Sequence, residues 1–283
     1  MDVHTHIYLP RYVSFLRARV VAPTIFSRTV PGKPGVEEDR LVILDNEPSG
    51  GRPVGPQVRK TTLFTLDVLL RLSDCSCGLK YWDRSEKVAF MDKHEIDVSV
   101  VRCFFHSLNC PHIPTIKAVF SGFLAPLSSA NPWLDFLSAP EANNLAKKLN
   151  EDLEEFCSSS PNLDYPSSGG SPPIKRLYGL GLLPLVLNAS PSDVLETIIQ
   201  ISSLPHLKGV IMGTQGLGRG LDDEELEPVW RAIERAGLVV FLHPHYGVPS
   251  SMWGGRDNGH VLPLALGFPF ETTIVGVSLF FLS

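Results

Sequence analysis

Three apolar runs decide the fold: LYGLGLLPL at residues 177–185, GVIM at 209–212 and VVFLHPH at 239–245. Each is short, rich in branched or leucine side chains, and apolar on both faces, as strands covered on both sides must be. Between them lie helical stretches at Pro191–Ser202 and Asp222–Ala236, the second with acidic residues in its first turn and Gly237 at its C-terminal stop. The order is therefore β-α-β-α-β with short connections, which predicts an α/β fold with a parallel sheet and crossover helices. Such sheets place ligands and chemistry at the carboxyl ends of their strands. The last of these strands ends on His243.

Working back toward the amino terminus, Glu141–Cys157 carries Leu145, Leu149, Leu153 and Phe156 at helical spacing, and Trp82–His94 carries Val88, Phe90 and Met91 on one side. Asp97–Val101 reads as a buried strand, and an apolar strand precedes Ser129-Ala130-Asn131-Pro132-Trp133. Val20–Gln57 is rich in Pro and Gly, and within it only Arg40–Leu44 is apolar enough for a strand. This segment reads as a long excursion from the core. A Ser/Pro/Gly linker, SSSPNLDYPSSGGSPP, precedes the run at 177.

The chain opens MDVHTHIYLP, where Val3–Ile7 alternates as a strand and is followed by Pro10. His4 and His6, two residues apart on a strand, project from one face. Adjacent imidazoles repel if both are protonated, and a divalent cation that takes both lone pairs removes that cost. A third nitrogen from His243, on another strand end, would complete a three-histidine metal site with open positions. His245 shares the face of His243 by spacing, but Pro244 breaks the strand and lifts His245 into the loop above, where it can contact substrate. Asn131 and Trp133 fall at a strand end, an amide to orient a ligand and an indole to wall a pocket. His94, His106, His112 and His206 have no sequence partner and read as surface residues. The loop TQGLGRG at 214–220 lacks the spacing of a dinucleotide-binding motif, and its glycines read as tight backbone turns.

Composition narrows the function. With 283 residues, 25 basic against 30 acidic side chains and no charge run, the chain has no basic patch for nucleic acid or an anionic membrane. The run GVSLFFLS is too short to span a bilayer, and no basic region precedes an apolar one at the amino terminus. A cytoplasmic enzyme is expected. The 5 cysteines form neither a zinc-ribbon pattern nor a disulfide framework and read as free thiols.

The segments DVHTHIYLPRY, SSANPWLDF, RLYGLGLLPL, KGVIMGTQGLGRGLDD, VVFLHPHYGVP and GHVLPLALGFPFETTI together resemble the amidohydrolase-related decarboxylases. That group includes the 2-amino-3-carboxymuconate semialdehyde decarboxylases, and the likeness extends to the fungal isoorotate (uracil-5-carboxylate) decarboxylase type. The resemblance implies a metal-dependent TIM (β/α)₈ barrel that removes a carboxylate from an aromatic or unsaturated ring without redox chemistry. It implies His4, His6 and His243 as metal ligands and places Asn131 in the family's strand-end asparagine segment. It also implies a small-molecule carboxylate as substrate and a divalent cation as cofactor. Zinc is preferred because imidazole-rich sites suit it, with manganese as the other candidate; a homodimer is left open.

Two departures shape the expectation. About five of the eight barrel strands are counted, and the family's late A-H-S-G-G-type histidine and proton-transferring aspartate have no counterpart, so no catalytic acid is assigned. Residues 58–80 and 102–126 also interrupt stretches that otherwise read continuously. Their openings, with Val277-Ser278, are what translation through GT donor sites would produce. All three read as retained introns, which would also supply four of the five cysteines, Cys75, Cys77, Cys103 and Cys110. The expectation is thus a single incomplete barrel domain, a carboxy-lyase impaired by truncation. The alternatives are a metal-dependent hydrolase of the same superfamily and an inert, aggregation-prone fragment with an open sheet edge near Val239–Leu242.

Overall fold

The computed structural model describes residues 5–7, 9–43, 51–56, 84–93, 125–129, 133–163, 173–254 and 262–281. The strand expected at Asp97–Val101 and nearly all of the segments 58–80 and 102–126 lie outside these residues. The chain divides into two compact units, one of residues 1–6 with 96–283 and one of residues 7–95.

The larger unit is built on a five-stranded sheet of β1 (Thr5–Ile7), β5 (Ala125–Ser129), β6 (Leu177–Leu182), β7 (Leu207–Gly213) and β8 (Val239–His243), adjacent in that order. From β5 to β8 every pairing is parallel, with Gly181 opposite Val210 and Gly213 opposite His243. The α/β class read from the three apolar runs is what the chain adopts. Parallel neighbours need a crossover between them, and the helices α3 (Ala139–Ser158), α4 (Pro191–Ser203) and α5 (Glu227–Arg235) supply three.

Each helix begins where the sequence provides a cap. Ahead of α3, the Ser138 N–H donates to the Glu141 carboxylate at 3.1 Å, half of a capping box, and Pro140 needs no intrahelical donor. The buried face of α3 then follows the helical period through Ala142, Leu145, Leu149, Leu153 and Cys157. Each fully buried leucine contributes about 1.5–3 kcal/mol. The Ser190 hydroxyl accepts from Ser192 N–H at 3.2 Å to start α4, which buries Val194, Ile198 and Ile201. The helix expected over 222–236 is split: a 3₁₀ turn covers Glu224–Leu226 and α5 begins at Glu227. Pro228 explains the break, because it lacks an N–H and is tolerated only in a first helical turn.

Within α3, Asn150 is fully buried and binds both sides of Leu182 at the end of β6. Its amide nitrogen donates to the Leu182 carbonyl at 3.1 Å and its oxygen accepts from the Leu182 N–H at 2.7 Å. The side chain thus serves as a short piece of neighbouring strand where the ladder ends.

His206 corrects its expected surface placement. It is half-buried between β6 and β7, its N–H and ring Nδ1 lying 2.9 and 2.6 Å from the two oxygens of Glu154 on α3. The partner is 52 residues away, so local sequence carries no sign of it.

Within Val20–Gln57 the chain forms a sheet separate from the five-stranded one, as an excursion from the core would, but with three strands where one was expected. After α1 (Pro10–Arg17), the segments β2 (Thr24–Thr29), β3 (Glu37–Val42) and β4 (Arg52–Pro56) form an antiparallel sheet in that order. The central strand reads EEDRLV, yet Asp39 and Arg40 are buried. Asp39 accepts from Arg17 and from the Ser27 hydroxyl, the latter at 2.7 Å, and Arg40 donates to the Gly51 carbonyl and to Glu38. Paired charges take the place that apolar residues usually fill in a central strand. The helix expected at Trp82–His94 is present as α2 (Arg84–Lys93).

Beyond β8 the chain forms a 3₁₀ turn at Ser250–Trp253, a π-helical turn at Pro263–Gly267 and then α6 (Phe268–Phe281), none of which hydrophobic periodicity had indicated.

Candidate functional site

The carboxyl ends of β5, β6, β7 and β8 open into one small pocket, lined by Trp133, Leu183, Leu185, Ile211, Gly213 and His245. Trp133 lies four residues beyond β5, and His245 two residues beyond β8. The two rings stack with centroids 4.6 Å apart and planes at 17°. The Trp133 indole N–H also donates to the His245 carbonyl at 3.1 Å, so both ends of the contact are fixed. Gly213 makes the stack fit: a Cβ there would sit 2.8 Å from both His245 Nδ1 and Trp133 Cζ3. The following turn is equally close, since Gly216 has φ +55° and a Cβ on it would fall 2.3 Å from the Gly220 carbonyl oxygen. That approach accounts for Gly216 as part of a tight backbone turn.

His245 is held at its ring by Asp135, whose Oδ2 lies 3.1 Å from Nε2. The Tyr246 hydroxyl donates to the same carboxylate at 3.0 Å. Burial would push the Asp135 carboxyl up, but hydrogen bonds from His245 and Tyr246 and the His245 charge outweigh it and hold the pKa below the usual value. Tyr246 moves the other way: burial, then the Asp135 charge, raises its phenol well above the ordinary range. The second ring nitrogen of His245, Nδ1, is buried without a hydrogen-bond partner among the described residues.

The backbone of the same turn is held by Glu271 in the first turn of α6. One carboxylate oxygen accepts from the His245 N–H at 2.8 Å and from the Thr214 hydroxyl, the other from the Gly247 N–H at 2.6 Å.

His243, at the end of β8, has its Nδ1 2.7 Å from the Pro244 carbonyl oxygen and its ring 5.3 Å from that of Trp133. A histidine whose Nδ1–H is engaged by a carbonyl carries its lone pair on Nε2, the arrangement in which imidazoles bind metals. His243 therefore suits a cation as a donor. Of the other expected ligands, His4 lies outside the described residues, and His6 sits in β1 with its side chain outside them. β1 and β8 are the two margins of the described sheet. Among the described residues no group of three His, Cys, Asp or Glu side chains forms a metal site. Asn131 is also outside the described residues.

The structure thus brings Trp133, His243 and His245 together. Sequence reasoning missed Asp135, Tyr246, Thr214 and Glu271. Asp135 stands two residues beyond Trp133 in the segment SSANPWLDF, which was a local signal; Glu271 had none.

No family model matches the chain. A curated protein of Dictyostelium discoideum, 2-amino-3-carboxymuconate-6-semialdehyde decarboxylase, is 25% identical over 71% of this chain and 43% of its own length. The crystal structure of Metarhizium anisopliae IDCase (isoorotate decarboxylase) in apo form is 33% identical, with a TM-score of 0.66 over 99% of this chain and 60% of that one. An amidohydrolase II structure, 19% identical with a TM-score of 0.51 over 98% of this chain and 60% of that one, shares the fold. The chain spans about half the length of these relatives, from 43% to 60%. The likeness read from the motifs is borne out: the chain is related to the amidohydrolase-related family of the 2-amino-3-carboxymuconate semialdehyde decarboxylase type. No helix among the described residues is long and apolar enough to cross a membrane.

Proposed function

We propose that this chain carries part of the active site of a metal-dependent, non-oxidative carboxy-lyase acting on an aromatic or unsaturated ring carboxylate. The observation that carries the reading is His243. It ends a parallel strand beside a pocket, its Nδ1 is engaged by the Pro244 carbonyl, and it stands in a fold shared with a decarboxylase at 33% identity.

His4, His6 and His243 would hold the cation, zinc by preference and manganese otherwise. When bound, it would supply Lewis-acid charge to the substrate carboxylate and a neighbouring ring oxygen. The chain's own residues do the rest. Trp133 would wall the pocket beside the substrate ring, and Leu183, Leu185 and Ile211, which line the same pocket, would give the ring apolar surroundings. Asn131 and His245 orient the ring's polar atoms. Cleavage of the carbon–carbon bond leaves its electron pair on the ring, a proton takes the place of the carboxylate, and CO₂ departs. Fixing the ring in register is one way in which positioned side chains raise the rate. A cytoplasmic setting completes the proposal.

The test is an assay of the zinc- or manganese-loaded chain with isoorotate, following CO₂ release and uracil formation. Incorporation of water without CO₂ would assign hydrolysis in its place. Absence of both products from a folded, metal-loaded chain would sink the proposal.

A further inference from the structure

We propose that Glu271 is a positioning residue that sets the shape of the pocket wall through the backbone of the His243–Gly247 turn.

The geometry is specific to a carboxylate. Pro244 has no N–H, so the turn after His243 offers donors from His245, Tyr246 and Gly247 only. Glu271 takes two of them, His245 N–H at 2.8 Å and Gly247 N–H at 2.6 Å, one on each oxygen. Gly247 has φ +79°, a conformation that side-chain-bearing residues rarely adopt. Neighbouring backbone N–H groups brought together in this way form a concave anion site, and here the chain fills it with its own carboxylate. The Thr214 hydroxyl, one residue beyond β7, donates to the oxygen that also receives His245. A single side chain therefore ties the ends of two strands to the start of α6. Glu271 stands in the first turn of that helix, where the helix dipole favours negative charge.

What this fixes is the pocket. With the His245 backbone anchored, its carbonyl receives the Trp133 indole and its ring stacks on Trp133 and reaches Asp135. Glu271 holds His245 by the main chain and Asp135 holds it by the ring. An amide at position 271 keeps one acceptor oxygen but turns an N–H₂ toward another N–H, and alanine keeps neither acceptor.

The test uses the full chain labelled with 5-fluorotryptophan. Its four tryptophans, Trp82, Trp133, Trp230 and Trp253, give four ¹⁹F resonances, with Trp133 assigned from Trp133→Phe. In Glu271→Ala the Trp133 resonance should move by more than its linewidth while that of Trp230, on α5, stays in place. Glu271→Gln and Thr214→Val should move it less. The kinetic readout rests on the decarboxylase proposal: kcat per folded chain should fall on the order of tenfold to a hundredfold in Glu271→Ala, with partial recovery in Glu271→Gln. If the wild type releases no CO₂, that proposal fails, and the Trp133 resonance still decides this one. Should Glu271→Ala not fold, Glu271→Gln and Thr214→Val carry the same readout. An unmoved Trp133 resonance in a folded Glu271 variant overturns the assignment.

Discussion

His245 and Asp135, 110 residues apart in the chain, meet through Nε2 and Oδ2 at 3.1 Å. The contact joins the loop after β5 to the loop after β8, strands that are not neighbours in the sheet. A ring fixed by one carboxylate on its edge and by an indole on its face has little freedom left. That rigidity suits the substrate-orienting role proposed for His245.

The Asp135 carboxyl is held below its ordinary pKa in the folded chain, so it binds protons less readily there than when unfolded. The sign follows: its contribution is fully present above the unfolded value, near 4, and is lost as pH falls through the lower folded value. Thermal unfolding followed from pH 7 to pH 3 should therefore show a steeper acid decline in wild type than in Asp135→Asn. Equal slopes would mean that the carboxylate is not held by His245 and Tyr246.

Tyr246 gives the complementary alkaline signature. Its raised pKa keeps the phenol protonated in the folded chain, a contribution present below about pH 10 and lost as pH rises toward the folded value. In a titration followed at 295 nm, Tyr246→Phe should remove one phenol from the alkaline end of the curve. An alkaline end left unchanged by Tyr246→Phe would contradict the hydrogen bond from Tyr246 to Asp135.

Gly213→Ala probes how tightly the stack is packed. The added methyl would lie 2.8 Å from Trp133 and from His245, and neither ring can retreat without losing its hydrogen bond. Overpacking of this kind costs about 1–3 kcal/mol. Urea unfolding should show that loss, and ligand binding in the pocket should weaken with it. A variant as stable as wild type would mean that the wall is looser than its distances imply.

The two units differ in how far their sequences disclosed them. From residue 177 to 243, β6 and β7 are buried along nearly their whole length, β8 is half-buried but apolar, and the helices keep an apolar period, so hydrophobicity marks each element. In the 7–95 unit the central strand buries Asp39 and Arg40, whose partners Arg17, Ser27, Glu38 and Gly51 come from other elements or other strand positions. Polarity then signals exposure where the chain has burial, and the sheet reads as loop. The site follows the same rule. His243 and Trp133 are legible because strand ends can be found from apolar runs. Glu271 is an ordinary acidic residue until the fold brings backbone donors to it, and no spacing in the chain records that meeting.

Asn150→Ala tests the end of the sheet away from any chemistry. It strips the Leu182 N–H and carbonyl of partners at a site with no exposure, and each buried backbone group left unpaired costs about 1–3 kcal/mol. Denaturant unfolding should register a loss of about 2–5 kcal/mol, with the far-ultraviolet spectrum of the folded state unchanged. A loss below about 0.5 kcal/mol would mean that water replaces the amide without penalty.

His243 carries the last prediction, because it separates metal ligation from general stability. Its Nδ1 lies against the Pro244 carbonyl, so the ligating atom would be Nε2, and alanine at this position removes that atom. His206 is the matching control: it pairs with Glu154 and precedes β7, at the opposite strand end from the pocket. Wild type dialysed against zinc should retain about one ion per chain, as a single three-histidine site would. His243→Ala should weaken that binding by more than the roughly 10–100-fold that loss of an outer hydrogen-bond partner causes. His206→Ala should bind zinc as wild type does, while its melting temperature falls through loss of the Glu154 contact. Equal zinc retention by wild type and His243→Ala would remove His243 from the ligand set, and with it the metal-dependent reading of the pocket.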